Sequence, residues 1–191
     1  ITPITGQRLV KTWRFGELWP AAVTFYRRVE QETGTSLFRQ SPMVRLLSND
    51  NEVDFFARRI AANEFCEMVR QPDPPLDPNW FVSDHGGFEM SSAGQLDVPQ
   101  YLTASREHFA REGCYLTTDL DVGHDLELNS LGVSLPRLGV RTGRLIFCQG
   151  IDATSNPWFR SVRFKPAKGE ILTIRIPDLS ENRVVHRGVW L

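Results

Sequence analysis

Long hydrophobic runs are absent from this sequence, and so is an excess of charge of either sign. No apolar stretch approaches the roughly 20 residues that cross a bilayer, and the first residues, ITPITGQRL, do not have the pattern of a secretory signal. Lys and Arg number 22 against 23 Asp and Glu, which leaves a net charge of -1. The composition therefore predicts a protein with neither a membrane nor a nucleic acid as its partner.

Cysteine and histidine are too few and too scattered for a disulfide framework or a metal site. The three cysteines, Cys66, Cys114 and Cys148, are far apart and flanked by apolar residues. They are typical of buried thiols in a reducing compartment, so we expect a cytoplasmic protein. The four histidines lack the spacing of zinc ligands, and no metal site is predicted.

Motifs of nucleotide-binding and hydrolytic sites are missing as well. The sequence contains no GxGxxG, P-loop or GxSxG pattern, so it lacks a complete nucleotide-binding βαβ unit and a recognisable nucleophile. Acidic residues recur through 119–127, which is more typical of a solvated edge than of a catalytic pair. The residues alone thus indicate a fold class and little chemistry.

Three segments have the periodicity of helices. We expect the first to end at Gly34, the second to begin at Asn49 or Asp50, and the third to begin at Asp97, because these residues are favoured as helix caps. The expected core faces are Leu18, Ala22, Phe25 and Val29 in the first helix, Val53, Phe56, Ala57 and Ile60 in the second, and Leu102, Ser105 and Phe109 in the third.

Strands are expected between and after these helices. The apolar run 145–148 lacks alternation and is followed by Gly150, which predicts a strand buried on both faces. A hairpin is expected at 88–94. Further strands are expected at 37–47 with a break at Pro42, and at 66–69, 114–120, 126–138, 171–176 and 184–191. Helices and strands mix without a regular βαβ alternation, so the sequence predicts an α+β fold, or interleaved α/β and α+β parts.

Five segments follow one another along nearly the whole chain in an order that is typical of one enzyme family. They are TPITGQRLVKTWRFGELWPAAVTFYRRVE, GGFEMSSAGQLDVPQYLTASREHFAREG, RLIFCQGIDA, FKPAKGEILTI and HRGVWL. Together they resemble the FAD-dependent oxidoreductases of the D-amino-acid oxidase and glycine oxidase type. The resemblance implies that the chain is the middle portion of such an enzyme.

The resemblance also implies an architecture. Residues 7–96 and 157–191 would form a substrate-binding lobe, which is a mixed β-sheet with flanking helices. Residues 97–156, together with 1–6, would form part of an interleaved α/β FAD-binding lobe. The GxGxxG unit for the FAD pyrophosphate would precede Ile1. A segment carrying the arginine for the substrate carboxylate would follow Leu191.

Three positions match the family closely enough to carry an expected role. The backbone at Leu120 would meet the adenine of FAD, and Gly150 would let the chain pass close to the cofactor. Trp190 would line the substrate pocket above the flavin ring, although an aromatic side chain in a sheet core is an equally good interpretation. Gln149 replaces the usual threonine and Ile151-Asp152 replaces Ala-Trp. No catalytic residue is indicated.

Two functions follow from these observations. By resemblance, the chain belongs to an enzyme in which FAD takes a hydride from the carbon that bears an amine, with a small amine or amino acid as substrate. Alternatively, it is a binding or assembly domain that keeps the substrate-lobe fold without a cofactor. In either case residues 1–191 alone should expose apolar surface at the seam of the absent strands, which favours a homo-oligomer or aggregation.

Overall fold

The computed structural model describes residues 1–65, 67–130, 132–169, 172 and 174–191. Its helices are α1 (Phe15–Thr33), α2 (Asp50–Ala61) and α3 (Val98–Arg111). Its strands are β1 (Ile4–Thr5), β2 (Val10–Lys11), β3 (Phe38–Gln40), β4 (Met43–Leu46), β5 (Val69–Arg70), β6 (Gly87–Met90), β7 (Gly94–Leu96), β8 (Glu127–Asn129), β9 (Gly132–Leu135), β10 (Val140–Thr142), β11 (Val184–Arg187) and β12 (Val189–Trp190). This mixture of helices and strands confirms the α+β class.

The chain divides into two compact units. The first unit is Ile1–Tyr115 with Ile176–Leu191, and the second unit is Leu116–Arg175. The lobes expected from the sequence have other boundaries, at 96–97 and 156–157. Their assignment to substrate and FAD stays a prediction.

The main sheet of the first unit has the strand order β12-β11-β4-β6-β5. Strand β11 runs parallel to β4, and the other neighbours are antiparallel. The register places Phe88, Arg45, His186 and Trp190 in one row across four strands. Residues directly opposite one another point to the same face of a sheet, so these four side chains lie on one side.

Helix α2 covers that side of the sheet. Its Phe56 ring stacks on Phe88 with centroids 4.6 Å apart, over a core that includes Met43, Leu47 and Met90. Asn49 caps the helix, as predicted, because its side chain accepts a hydrogen bond from the backbone N–H of Glu52. The expected inner residue Ile60 is instead 43% exposed.

Helix α1 buries a stripe that differs from the expected one except at Val29, which packs against the cluster around Phe38 as predicted. Trp19, Val23 and Tyr26 pack against the cluster around Phe38, whereas Leu18 and Phe25 are each 47% exposed. Apolar residues of α1 lie on two adjoining stripes of the helix. The stripe that contains Trp19 and Tyr26 is the one that packs against Phe38. Gly34 ends the helix in the left-handed conformation, as predicted.

Helix α3 begins at the predicted cap, since the Asp97 side chain accepts from the backbone N–H of Gln100. Its expected stripe is again wrong. Leu102 is 55% and Phe109 49% exposed, while Tyr101 and Ala104 face the α1 cluster. The cluster against which α3 packs decides which face of the helix is buried. The periodicity of the sequence carries no information about that partner.

The predicted hairpin is also wrong. Strand β6 pairs with β4 and β5, whereas β7 pairs with β3 in a separate two-stranded sheet. The chain therefore passes from one layer to another between Met90 and Gly94. A methyl group at Gly94 would lie 2.6 Å from the Phe38 ring, so glycine is needed for this close approach.

The second unit contains the antiparallel sheet β10-β9-β8, in agreement with the irregular β structure expected at 126–138. The buried strand expected at 145–148 is not formed, and Ile146 is 81% exposed. Residues 114–120 are likewise irregular. Cys114 and Cys148, one in each of these two stretches, are exposed rather than buried, since neither stretch forms a strand. Cys66 and parts of the strand expected at 171–176 lie outside the described residues.

Candidate active site

A cavity of about 760 Å³ lies in the first unit. It is bounded by the turn after β1, the segment from β4 to the start of α2, and the turn between β11 and β12. Polar and apolar surface both contribute to its lining, which consists of Thr5, Gly6, Gln7, Arg8, Arg45, Ser48, Asn49, Asn51, Glu52, Phe55, His186, Gly188 and Trp190. A concave site of this size accommodates a small molecule.

A buried ion pair between Arg45 and Glu52 contributes to the lining of the cavity. Arg45 Nη2 donates to Glu52 Oε1 at 3.1 Å, and the side chains are 5% and 10% exposed. The other carboxylate oxygen, Oε2, accepts from the backbone N–H of Ser48 at 3.0 Å. Both oxygens of Glu52 are therefore engaged, and its charge balances that of Arg45.

His186 and Trp190 form the adjoining wall. Their ring centroids are 4.1 Å apart, and His186 lies directly opposite Arg45 on the neighbouring strand. Burial, together with the nearby Arg45 charge, lowers the pKa of His186, and the negative charge of Glu52 only partly offsets this. The imidazole is therefore neutral at neutral pH.

Two buried nitrogen atoms of Arg45 and His186 have no hydrogen-bond partner among the described residues. They are Arg45 Nε and His186 Nδ1. A buried polar atom without a partner costs about 1–3 kcal/mol, so proteins rarely retain one without a reason. We call Arg45, Glu52 and His186 the polar floor of the cavity.

The lining as a whole carries a net positive charge. Arg45 and Glu52 cancel, His186 is neutral, and Arg8 is an exposed cation that forms no ion pair within the described part of the chain. Arg8 is therefore free to attract a carboxylate or another anion entering the cavity.

The residues expected from the sequence to form the site fall in different places. Trp190 lines the cavity and is 55% exposed. Leu120 and Gly150 belong to the second unit and are not among the lining residues. Leu120 lies in an irregular stretch instead of at a strand end, and it is 36% exposed. Gly150, with φ of 57°, begins a 3-10 helix at Gly150–Ser155.

The described residues do not fit a complete FAD site. A pyrophosphate is commonly held by a glycine-rich turn that opens an α-helix, and the second unit has only 3-10 helices within its described residues. A Cβ atom at Gly150 would meet nothing within 4 Å, so this chain's own atoms do not require a close approach there. We therefore derive no reaction step through FAD.

Among the described residues, no three His, Cys, Asp or Glu side chains are grouped so that they could hold a metal ion. In the same part of the chain, no helix combines the length and the apolar character that crossing a membrane requires.

The polar floor was not predicted from the sequence. One signal was present, because Arg45 interrupts the apolar strand sequence MVRLL, where a charged residue is unusual unless it is paired. Glu52 follows Asn49 at the spacing of a capping box, which suggested a helix start and nothing more. No local pattern connects either residue with His186.

Comparison with known proteins does not place this chain in a family. No family model matches the sequence, and no solved structure matches it significantly. The function of the chain is therefore inferred from the cavity and its side chains.

Proposed function

We propose that this chain is part of a cytoplasmic FAD-dependent oxidoreductase that oxidises a small amine or amino acid. Its substrate-binding lobe (7–96 and 157–191) would hold the substrate in the cavity described above. The observation that carries the proposal is the position of Trp190. This residue, assigned to the substrate pocket by resemblance, lies on the wall of a large cavity lined by both polar and apolar groups.

The charge and shape of the cavity support an amino acid as substrate. Arg8 has no competing carboxylate among the described residues and provides an attachment for the substrate carboxylate. The ring of Trp190 and the side chain of Phe55 offer apolar surface for the carbon skeleton. Binding and orientation are therefore the contributions of this chain.

The flavin contacts remain part of the proposal. Residues 97–156 with 1–6 would belong to the FAD-binding lobe, with backbone contacts at Leu120 and Gly150. Neither position brings a phosphate-binding turn with it, so the hydride acceptor would be held largely by residues outside 1–191. Self-association into a homo-oligomer likewise stays a prediction.

A cofactor-free binding domain is the second candidate. Gln149 and Ile151 depart from the family pattern at the turn where FAD contact was expected. The cavity, in contrast, is formed entirely within the first unit. A protein that uses only the cavity would bind a small carboxylate and would not need flavin.

An absorption spectrum of the longest form of the protein that can be expressed separates the two candidates. We expect oxidised-flavin bands, and oxygen uptake that depends on an added amine or amino acid. Trp190→Ala and Arg8→Ala should raise the KM for that substrate, whereas Arg28→Ala, on the exposed face of α1, should not change it. A colourless protein that remains colourless after FAD is added would favour the binding domain.

A further inference from the structure

We infer that a second copy of this chain docks on the exposed face of α1, in a two-fold symmetric dimer whose two α1 helices run antiparallel. All the residues that line the cavity lie outside α1, so the inference is independent of the proposed function. It assigns self-association to a helix face instead of to the seam of absent strands.

The exposed face of α1 has the spacing of a coiled-coil seam. Six exposed residues follow one another at alternating intervals of four and three positions, and they are Arg14, Leu18, Ala21, Phe25, Arg28 and Glu32. An average spacing of about 3.5 residues keeps side chains on one stripe of a helix, which is how packed helices share a seam. Leu18 and Phe25, the large apolar members, are each 47% exposed. We call this stripe the α1 seam.

Arg14 belongs to the α1 seam although it precedes the first residue of the helix. It is the N-cap residue, and its Nε donates to Glu17 Oε2 at 3.1 Å. Glu17 lies close to three full turns before Arg28, so both are on the same side of α1. The guanidinium of Arg14 is therefore held beside the N-terminal end of the seam.

The order of residues along the α1 seam is self-complementary when two copies run antiparallel. With the two-fold axis at position 23, Ala21 faces the partner's Phe25. Leu18 then faces the partner's Arg28, and Arg14 faces the partner's Glu32. The symmetry repeats each of these pairings on the other side of the axis.

The centre of the contact joins a large side chain to a small one. A depression of about 450 Å³ is lined by Pro20, Ala21, Thr24, Phe25 and Arg28. In the antiparallel pair the partner's Phe25 ring enters this depression beside Ala21, as a knob enters a hole between packed helices. Contact with Tyr26, whose ring centroid is 5.2 Å away, orients the Phe25 ring. Burial of the two rings, and of Leu18 against the aliphatic stem of the partner's Arg28, stabilises the dimer.

Each end of the contact brings opposite charges together. Within one copy, Arg14 is paired with Glu17 and Arg28 with Glu32, and the four side chains are between 45% and 70% exposed. Exposed pairs of this kind contribute little, so their charges stay accessible to a partner. The antiparallel pair places the partner's Glu32 next to Arg14 and the partner's Arg28 close to Glu17, so the charges alternate in sign. A parallel pair would place each charge against its own kind.

The size of the contact predicts a weak, reversible dimer. From position 14 to position 32 an α-helix rises about 27 Å, and a contact one helix wide over this length buries less than the roughly 1,200 Å² at which standard interfaces begin. We expect a dissociation constant of about 10–100 µM, so the chain is a monomer at the concentrations of about 1 µM that fluorescence experiments use.

Sedimentation equilibrium of the chain 1–191 measures this constant, in about 50 mM salt so that surface charges are little screened. Phe25→Glu should raise it at least about tenfold, because the contact loses two buried rings and gains two charges without partners. Phe109→Glu is the matched control, since Phe109 is 49% exposed on α3, and it should leave the constant unchanged. The amide NMR spectrum of each variant verifies its fold.

Two charge reversals test the antiparallel register. Arg14→Glu alone, or Glu32→Arg alone, puts like charges opposite each other at both ends, so each variant should dimerise about three- to tenfold more weakly. In an equimolar mixture of the two variants, the new carboxylate at position 14 of one copy faces the new guanidinium at position 32 of the other. The mixture should therefore dimerise with about the affinity of the unsubstituted chain.

Four results would overturn the inference. They are a chain that remains monomeric up to about 0.5 mM, a dimer that Phe25→Glu leaves intact, equal weakening by Phe109→Glu, and a mixture of the charge reversals that is no tighter than either variant alone. None of these results bears on the proposed function, which the flavin spectrum tests separately.

Discussion

Glu89 and Arg183 are 94 positions apart in the sequence and form a 2.8 Å ion pair on the face of the main sheet opposite α2. Glu89 is fully buried, and its other oxygen accepts from Arg70 Nε at 2.7 Å. Burial opposes ionisation, but the hydrogen bonds from the two arginines outweigh it and hold the pKa of Glu89 below its usual value. This pair joins β6 to the segment that leads into β11.

Removing the charge of Glu89 should strongly destabilise the first unit. We expect Glu89→Gln to lower the free energy of unfolding by about 3 kcal/mol, because Arg183 would remain buried with an incomplete set of acceptors. Urea unfolding followed by tryptophan fluorescence measures the change. Glu32→Gln, which removes the exposed pair between Arg28 and Glu32, should cost less than about 1 kcal/mol. A similar loss in both variants would contradict the prediction.

His186 should make stability depend on pH. Its folded-state pKa is lowered by burial, so the unfolded chain binds the proton more readily. The contribution of His186 is fully present above its unfolded pKa of about 6.5 and declines as the pH falls below that value. We expect His186→Gln to flatten the loss of stability as the pH falls below about 6.5. Arg45, Glu52 and Trp190 are the groups that face His186.

The rotation of α1 can be tested with two neighbouring residues. Trp19 packs against Phe15 and Phe38, with ring centroids 5.7 and 6.2 Å away, while Leu18 is largely exposed. Trp19→Ala should therefore destabilise the protein by about 2–3 kcal/mol, and Leu18→Ala should change stability by no more than about 0.5 kcal/mol. Thermal unfolding of the two variants measures the difference. A larger loss of stability in Leu18→Ala than in Trp19→Ala would show that the Leu18 face of α1 is the buried one.

Two glycines of the second unit should differ in their tolerance of a methyl group. Gly132 has φ of 137°, and a Cβ atom there would lie 2.3 Å from the carbonyl oxygen of Thr142. Gly143 has open space around it. We expect Gly132→Ala to accelerate hydrogen exchange throughout β8, β9 and β10, and Gly143→Ala to have no such effect. Equal protection in the two variants would show that the strands do not approach so closely.

Residues 1–191 alone should bind FAD poorly. The described residues include no glycine-rich turn opening an α-helix in the second unit, and such a turn accounts for much of the affinity of a dinucleotide site. A fluorescence titration of FAD with the chain measures the affinity. Binding with a dissociation constant in the micromolar range or below would contradict the expectation and would point to a phosphate site formed in another way.

Helix caps were predictable from the sequence because a single residue at the end of a helix determines the backbone conformation there. The caps at Asn49 and Asp97 and the helix end at Gly34 were correctly placed, because a side-chain acceptor or a left-handed glycine acts on backbone within a few residues. The α+β class was predictable for a similar reason, since periodicity distinguishes helix from strand. The strand predicted at 145–148 failed because a short apolar run does not show whether a partner strand covers it.

The candidate site was predictable only in part. Trp190 was named from the sequence by resemblance, and it lines the cavity. Arg45, Glu52 and His186 were not, because the polar floor depends on the parallel pairing of β11 with β4, across some 140 positions of sequence. No local pattern contains that pairing.

The sequence by itself determined the helix caps at Gly34, Asn49 and Asp97 and which residues are apolar enough for a core. Only the tertiary structure decided which stripe of α1 is buried, which sheet β7 joins, and that Arg45 lies beside His186. The physical reason is that helix periodicity and capping depend on neighbours within a few positions, whereas burial and buried charge pairing depend on what the rest of the chain places against a surface.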